Sequence, residues 1–89
     1  MQRIVWDESK RLANLVKHRM DFGDLDETFF ANAFIAGAKK NRWRAIGVNL
    51  NGVIAVVFAK YGKEGISVIS MRPASAKEGK LFHDSLKES

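Results

Sequence analysis

The sequence predicts an α+β domain in which helices pack against an antiparallel sheet, in the order β-α-α-β-β-β-α. Three observations carry this. Strand-length apolar segments in the middle of the chain are separated by Asn51-Gly52 and by Gly62 to Gly65. Asp7 stands where it can cap a helix, with Glu8 in the first turn, where the helix dipole favours negative charge. Ser75-Ala76-Lys77-Glu78 is a capping box, in which each outer side chain satisfies the other residue's backbone N–H. Eighty-nine residues form one domain, 1–89, with a single core and little stability to spare.

The elements follow in order. Ile4 and Trp6 alternate with Arg3 and Val5 in a short first strand. The helix opened by Asp7 is expected to run to about Arg19, with Leu12, Leu15 and Val16 holding it to the core, before Asp21-Phe22-Gly23 breaks it. Asp24 is the expected cap of a shorter second helix that carries Leu25, Phe29 and Phe30 inward and ends near Asn32. Residues 33–36 allow another short strand before Gly37. Residues 42–50 and 53–60 flank Asn51-Gly52, both suited to the positive φ of a type I′ turn, and residues 66–71 complete a three-stranded meander, with the N-terminal strand as a possible fourth. Pro73 ends the last strand. Leu81, Phe82 and Leu86 form the narrow apolar face of the final helix, and Gly79 weakens it by roughly 1 kcal/mol relative to alanine.

Composition bounds the function. The apolar fraction is 46% and the net charge +5, which together describe a folded chain that seeks an acidic partner such as nucleic acid, an acidic protein or a membrane surface. The charge is segregated. Between Thr28 and Lys63 stand Lys39, Lys40, Arg42, Arg44, Lys60 and Lys63 with no acid among them, while Asp21, Asp24, Asp26 and Glu27 cluster without a base. The absence of cysteine excludes disulfides and thiolate metal sites. No signal-peptide pattern opens the chain, and the longest apolar run, residues 53–59, is too short to span a bilayer. A cytoplasmic protein without membrane contact is the expectation.

Several residues could carry chemistry. Lys10, Asn14 and Lys17 are spaced i, i+4, i+7 and share one side of the first helix, beside His18. That stripe suits a phosphodiester, and it also suits any solvated helix face. Arg42 and Arg44 lie two apart on a strand and share a face, where two guanidiniums can fork onto neighbouring phosphates, while Trp43 points into the core. Lys39 and Lys40 extend this run, although lysines at a strand edge also serve to block unwanted pairing. His18, among Arg11, Lys17 and Arg19, is suited to take a proton from a ribose 2′-hydroxyl, or else to cap the helix end. His83 is a surface residue. Arg72 stands at a strand end before Pro73, where functional residues often sit. The acidic group has no histidine at ligand spacing, so neither a metal nor another cofactor is expected.

Trp6-Asp7-x-x-Lys10-x-x-x-Asn14-x-x-Lys17-His18-x-x-x-Phe22 resembles the N-terminal signature of the BrnT family, toxins of bacterial type II toxin–antitoxin pairs. Arg42-x-x-x-Ile46-Gly47, Val56-Val57-Phe58 and Ile69-Ser70-x-Arg72-x-Ala74-x-x-x-Glu78 resemble its later blocks in the same order. The resemblance implies a RelE-like ribonuclease fold that cleaves RNA without a metal, a BrnA-like antitoxin, and contact with operator DNA only through the antitoxin complex. It implies a catalytic set of His18, Lys17, Arg72 and Glu78. Lys10, Lys39, Lys40, Arg42 and Arg44 are then the RNA-binding cations. Three positions depart from the family pattern: Tyr61 and Ser67 stand where arginines are usual, and Phe82 where a tyrosine is usual. The alternative is therefore a catalytically inactive relative that binds its antitoxin and acts in operon autoregulation.

Overall fold

The computed structural model describes residues 3–87. The observed order is β1 (Arg3–Trp6), α1 (Glu8–His18), a 3-10 turn (Phe22–Asp24), α2 (Glu27–Asn32), β2 (Phe34–Gly37), β3 (Arg42–Asn49), β4 (Gly52–Tyr61), β5 (Gly65–Pro73) and α3 (Ala76–Lys87). The five strands form one sheet in the order β1-β5-β4-β3-β2. The expected meander β3-β4-β5 is present; one added strand corrects the expected order, and one parallel pairing corrects the expected antiparallel sheet. Residues 34–37 do form a strand, antiparallel to β3, and β1 joins the other edge parallel to β5, so the sheet is mixed.

Local chemistry explains most element ends. The Asp7 carboxylate accepts the Ser9 N–H at 2.9 Å, and Arg19 closes α1 in the left-handed region with φ 56°. Asp24 does not cap α2. Asp21 caps the 3-10 turn through Gly23, and Asp26 caps α2 through the Phe29 N–H at 2.8 Å. The capping box is intact: Ser75 Oγ accepts the Glu78 N–H at 3.1 Å, and Glu78 accepts the Ser75 N–H at 2.9 Å. The β3–β4 connection differs from a type I′ turn. Asn49 pairs with Gly52, so Leu50 and Asn51 form the turn, and of the residues 49–52 Gly52 alone takes a positive φ, 95°. Asn51 keeps a negative φ, its N–H bound to the Asn49 side chain at 2.8 Å. The left-handed pair lies instead at Lys40 and Asn41 (φ 60° and 61°), between β2 and β3.

The sheet has two faces. One buries the main core, in which Phe22, Leu25, Phe29 and Phe30 pack on Ile54, Val56, Phe58, Val68 and Met71. Trp43 packs against this core as expected, with the Lys60 ammonium 5.0 Å from its ring centroid. Gly47 suits this contact, because a Cβ would stand 3.0 Å from the Phe29 ring and oblige it to shift by a few tenths of an ångström. The other face is covered at one end by α3 through Ile46, Ala55 and Phe82, and Phe82 is 6% exposed. Leu81 and Leu86, expected beside it, remain exposed.

α1 packs differently from expectation. Leu12 and Val16 are exposed, at 49% and 84%, and only Leu15 is half-buried. The inward line is Arg11, Asn14, Leu15 and His18, and its anchor is polar. β1 pairs with β5 only as far as Val68, which leaves the following β5 edge without a neighbouring strand. Asn14 fills that gap. Its Oδ1 accepts the Met71 N–H at 3.0 Å and its Nδ2 donates to the Met20 carbonyl at 3.2 Å. An unpaired buried backbone donor is costly, so a helix crossing a bare strand edge needs such a residue more than another leucine.

Candidate phosphate-binding groove

Residues paired across adjacent strands share a face, so the register fixes where the cations stand. Arg42 pairs with Ala59, which pairs with Ser67; Arg44 pairs with Val57, which pairs with Ser70; Ile46 pairs with Ala55, which pairs with Arg72. Three successive rows therefore place Arg42, Arg44 and Arg72 on one face. A bulge aids the last of these. Val57 pairs with Ser70 and Phe58 with Val68, so Ile69 is extra and the residues after it keep the alternation that puts Met71 in the core and Arg72 outside it.

Beyond the end that α3 covers, this face is open and forms a floor between α1 and the β2–β3 turn. Two adjoining hollows occupy it. The first, about 450 Å³, is lined by Lys10, Asn14, Lys17 and His18 of α1 and by Ser70 and Arg72 of β5. The second, about 570 Å³, is lined by Lys10, Lys40, Arg42, Lys60 and Ser67 among others. Lys10 and Ile69 belong to both, so the two hollows adjoin in one cationic groove. Another hollow, about 380 Å³, lies between α2 and the β3–β4 turn, where Asp24 and Asp26 make it unsuitable for a phosphate.

Of the residues expected to carry chemistry, Lys10, Lys17, His18, Lys40, Arg42 and Arg72 line the groove. Lys39 is exposed in the β2–β3 turn and lines neither hollow. Asn14 faces the groove, but its amide is committed to the backbone. Glu78 lies beneath the surface in contact with Arg44, which is half-buried and lines neither hollow. Glu78 is 4% exposed and accepts a two-pronged hydrogen bond from Arg72, Nη1 at 2.6 Å and Nη2 at 2.9 Å, while Arg44 Nη1 stands 3.1 Å from its Oε2. The Arg72 hydrogen bonds, helped by the Ser75 N–H and opposed by burial, lower the Glu78 pKa from 4.5 to about 2. Glu78 holds Arg72 more firmly protonated in return. This brace was not legible from sequence, which offered only the capping box. Among the described residues, no group of three His, Cys, Asp or Glu side chains could hold a metal.

The departures from the family pattern also have places. Ser67 lines the second hollow, Tyr61 is half-exposed at the end of β4, and Phe82 is the α3 residue buried against the sheet at Ile46 and Ala55.

A small α+β domain with a cationic groove on its open sheet face has the electrostatic footprint of a protein that handles a polyanion. The family model described as "Ribonuclease toxin, BrnT, of type II toxin-antitoxin system" matches residues 6–78, and the chain belongs to that family. It is similar to the Brucella abortus ribonuclease toxin BrnT, known from a crystal structure at 1.1 Å resolution. The two share 48% sequence identity and a TM-score of 0.76, over 84% of this chain and 99% of that one. No curated protein matches the chain. Membership in a toxin–antitoxin family implies an antitoxin partner. Among the described residues, no helix is long and apolar enough to cross a membrane.

Proposed function

We propose that this chain is a RelE-like endoribonuclease toxin that cleaves RNA in the groove between α1 and β5. The supporting observation is the meeting of His18, Lys17 and Lys10 with Arg72 around one hollow. A phosphodiester lying there meets cations from both walls. His18 takes the proton of the ribose 2′-hydroxyl, whose oxygen attacks the adjacent phosphorus. The bond to the 5′-oxygen breaks, leaving a 2′,3′-cyclic phosphate, and the departing oxygen takes a proton from solvent in the open groove. Arg72 and Lys17 stabilise the charge that builds on the non-bridging oxygens. Lys10, Lys40 and Arg42 hold the strand on either side, while Lys60, which also lines the second hollow, leans over the Trp43 ring.

No step calls for a metal. A cytoplasmic BrnA-like antitoxin neutralises the toxin, and operator DNA is met only by the complex of the two. The test is cleavage of RNA by the purified protein in excess chelator. His18→Ala and Arg72→Ala are each expected to slow it about 10²-fold or more. Cleavage that survives both substitutions together removes this site assignment. A protein that binds its antitoxin tightly, cleaves no RNA and is harmless when expressed alone is the inactive relative instead.

A further inference from the structure

We propose that Glu78 is a positioning residue, a buried brace between Arg44 and Arg72 that holds the Arg72 guanidinium toward the hollow. The inference rests on the ribonuclease reading above. The carboxylate accepts three hydrogen bonds, Oε1 from Arg72 Nη1 and the Ser75 N–H and Oε2 from Arg72 Nη2, and forms an ion pair with Arg44, whose Nη1 stands 3.1 Å from Oε2. A carboxylate so engaged, buried at 4% exposure and lining neither hollow, is out of reach of a substrate proton. It acts through what it holds.

The geometry of Arg72 shows what the brace accomplishes. Nη1 donates to Glu78 and to the Pro73 carbonyl at 3.2 Å, and Nη2 donates once to Glu78. That leaves the Nε–H and the second Nη2 hydrogen without a partner among the described residues, on a side chain that is 37% exposed and lines the groove. A guanidinium is planar and rigid, so clamping one edge fixes the direction of the others. Arg44 contributes by anchoring Glu78 from the neighbouring strand row. Its own Nε–H is buried without a partner, a cost the ion pair must offset.

Steady-state cleavage of a short synthetic RNA by the full chain tests this. Glu78→Gln keeps the shape and removes the charge. It is expected to lower kcat about 10²-fold with KM within about twofold, because a transition-state group is misplaced while other cations still bind the strand. In an Arg72→Ala background the same substitution is expected to lower kcat no further. Ser75→Ala, which removes the capping partner and leaves the fork, is the structural control and is expected to keep kcat. An unchanged kcat in Glu78→Gln, or an equal loss in both backgrounds, overturns the brace. Should Glu78→Gln fail to fold, Arg72→Lys reads the same point, since lysine keeps the charge without the fork; full activity there also overturns it. Failure of the unsubstituted protein to cleave RNA overturns the proposal through its premise, a result distinct from an additive loss.

Discussion

Two arginine–carboxylate clusters hold this fold together, and they differ in what surrounds them. On one side Arg11 pairs with Glu8 within α1 and with Asp21, both Arg11–Asp21 hydrogen bonds being 3.1 Å long, tying the helix to the 3-10 turn. On the other, Arg72 and Arg44 converge on Glu78. The chemistry is the same. The Glu8 and Asp21 side chains are 61% and 36% exposed, however, against 5% for Glu78. Water can replace a partner at Glu8 or Asp21 and is kept from Glu78. The contrast lies in the carboxylates, since Arg72 and Arg44, 37% and 32% exposed, are less buried than Arg11 at 23%. The exposed pair therefore trims a helix end, whereas the buried pair sets the direction of a functional side chain.

The largest expected effect is at the buried cluster. Glu78→Ala strands two guanidiniums and the start of α3, and is expected to cost about 3 kcal/mol in urea unfolding. A loss below about 1 kcal/mol would erase the contrast. The pH dependence has a defined sign. Glu78 has a folded-state pKa lowered from 4.5 to about 2, so its contribution is fully present above pH 4.5 and is lost as pH falls toward 2. Glu78→Gln should flatten the stability profile in that window, and an unchanged profile counts against the lowered pKa.

Next in size is Asn14→Ala, which frees the Met71 N–H at the bare edge of β5 and is expected to cost about 2 kcal/mol. Faster hydrogen exchange at the Met71 amide, with neighbouring β5 amides less affected, is the matching readout. The smallest effect is at the exposed cluster. Asp21→Asn should shift the thermal midpoint by no more than a few degrees, and raised salt should shrink even that. A large loss there would show that exposure is not what separates the two clusters.

Much of this was legible in the chain. Asp7 and the Ser75–Glu78 box are local signals, because a cap depends on residues two or three positions apart. The pairing of Arg42 with Arg44 followed from strand alternation. Misplaced expectations share one cause, which is that the deciding partner is distant in sequence. Leu12 and Val16 were expected inside by helical periodicity, but the surface α1 meets is a strand edge that asks for an amide. Asp24 was one acid among several near α2, and the side-chain bonds actually made by Asp21 and Asp26 decided which ones cap. Asn51-Gly52 was expected to close the hairpin as a pair, yet strand register moved the turn one residue earlier.

By itself the sequence determined which segments become helix or strand, where cations are kept apart from acids, and the resemblance to a toxin family. The first two reside in periodicity, capping and composition, all short-range, and the resemblance rests on residue motifs met in order along the chain. Only the tertiary structure decided that β1 runs parallel to β5 and stops short, that α1 consequently crosses an open edge with Lys10, Lys17 and His18 facing Arg72, and that one carboxylate binds two arginines from separate strands. Sheet order and register are settled by burial and by pairing of backbone donors across the whole domain, and no window of neighbouring residues contains that information.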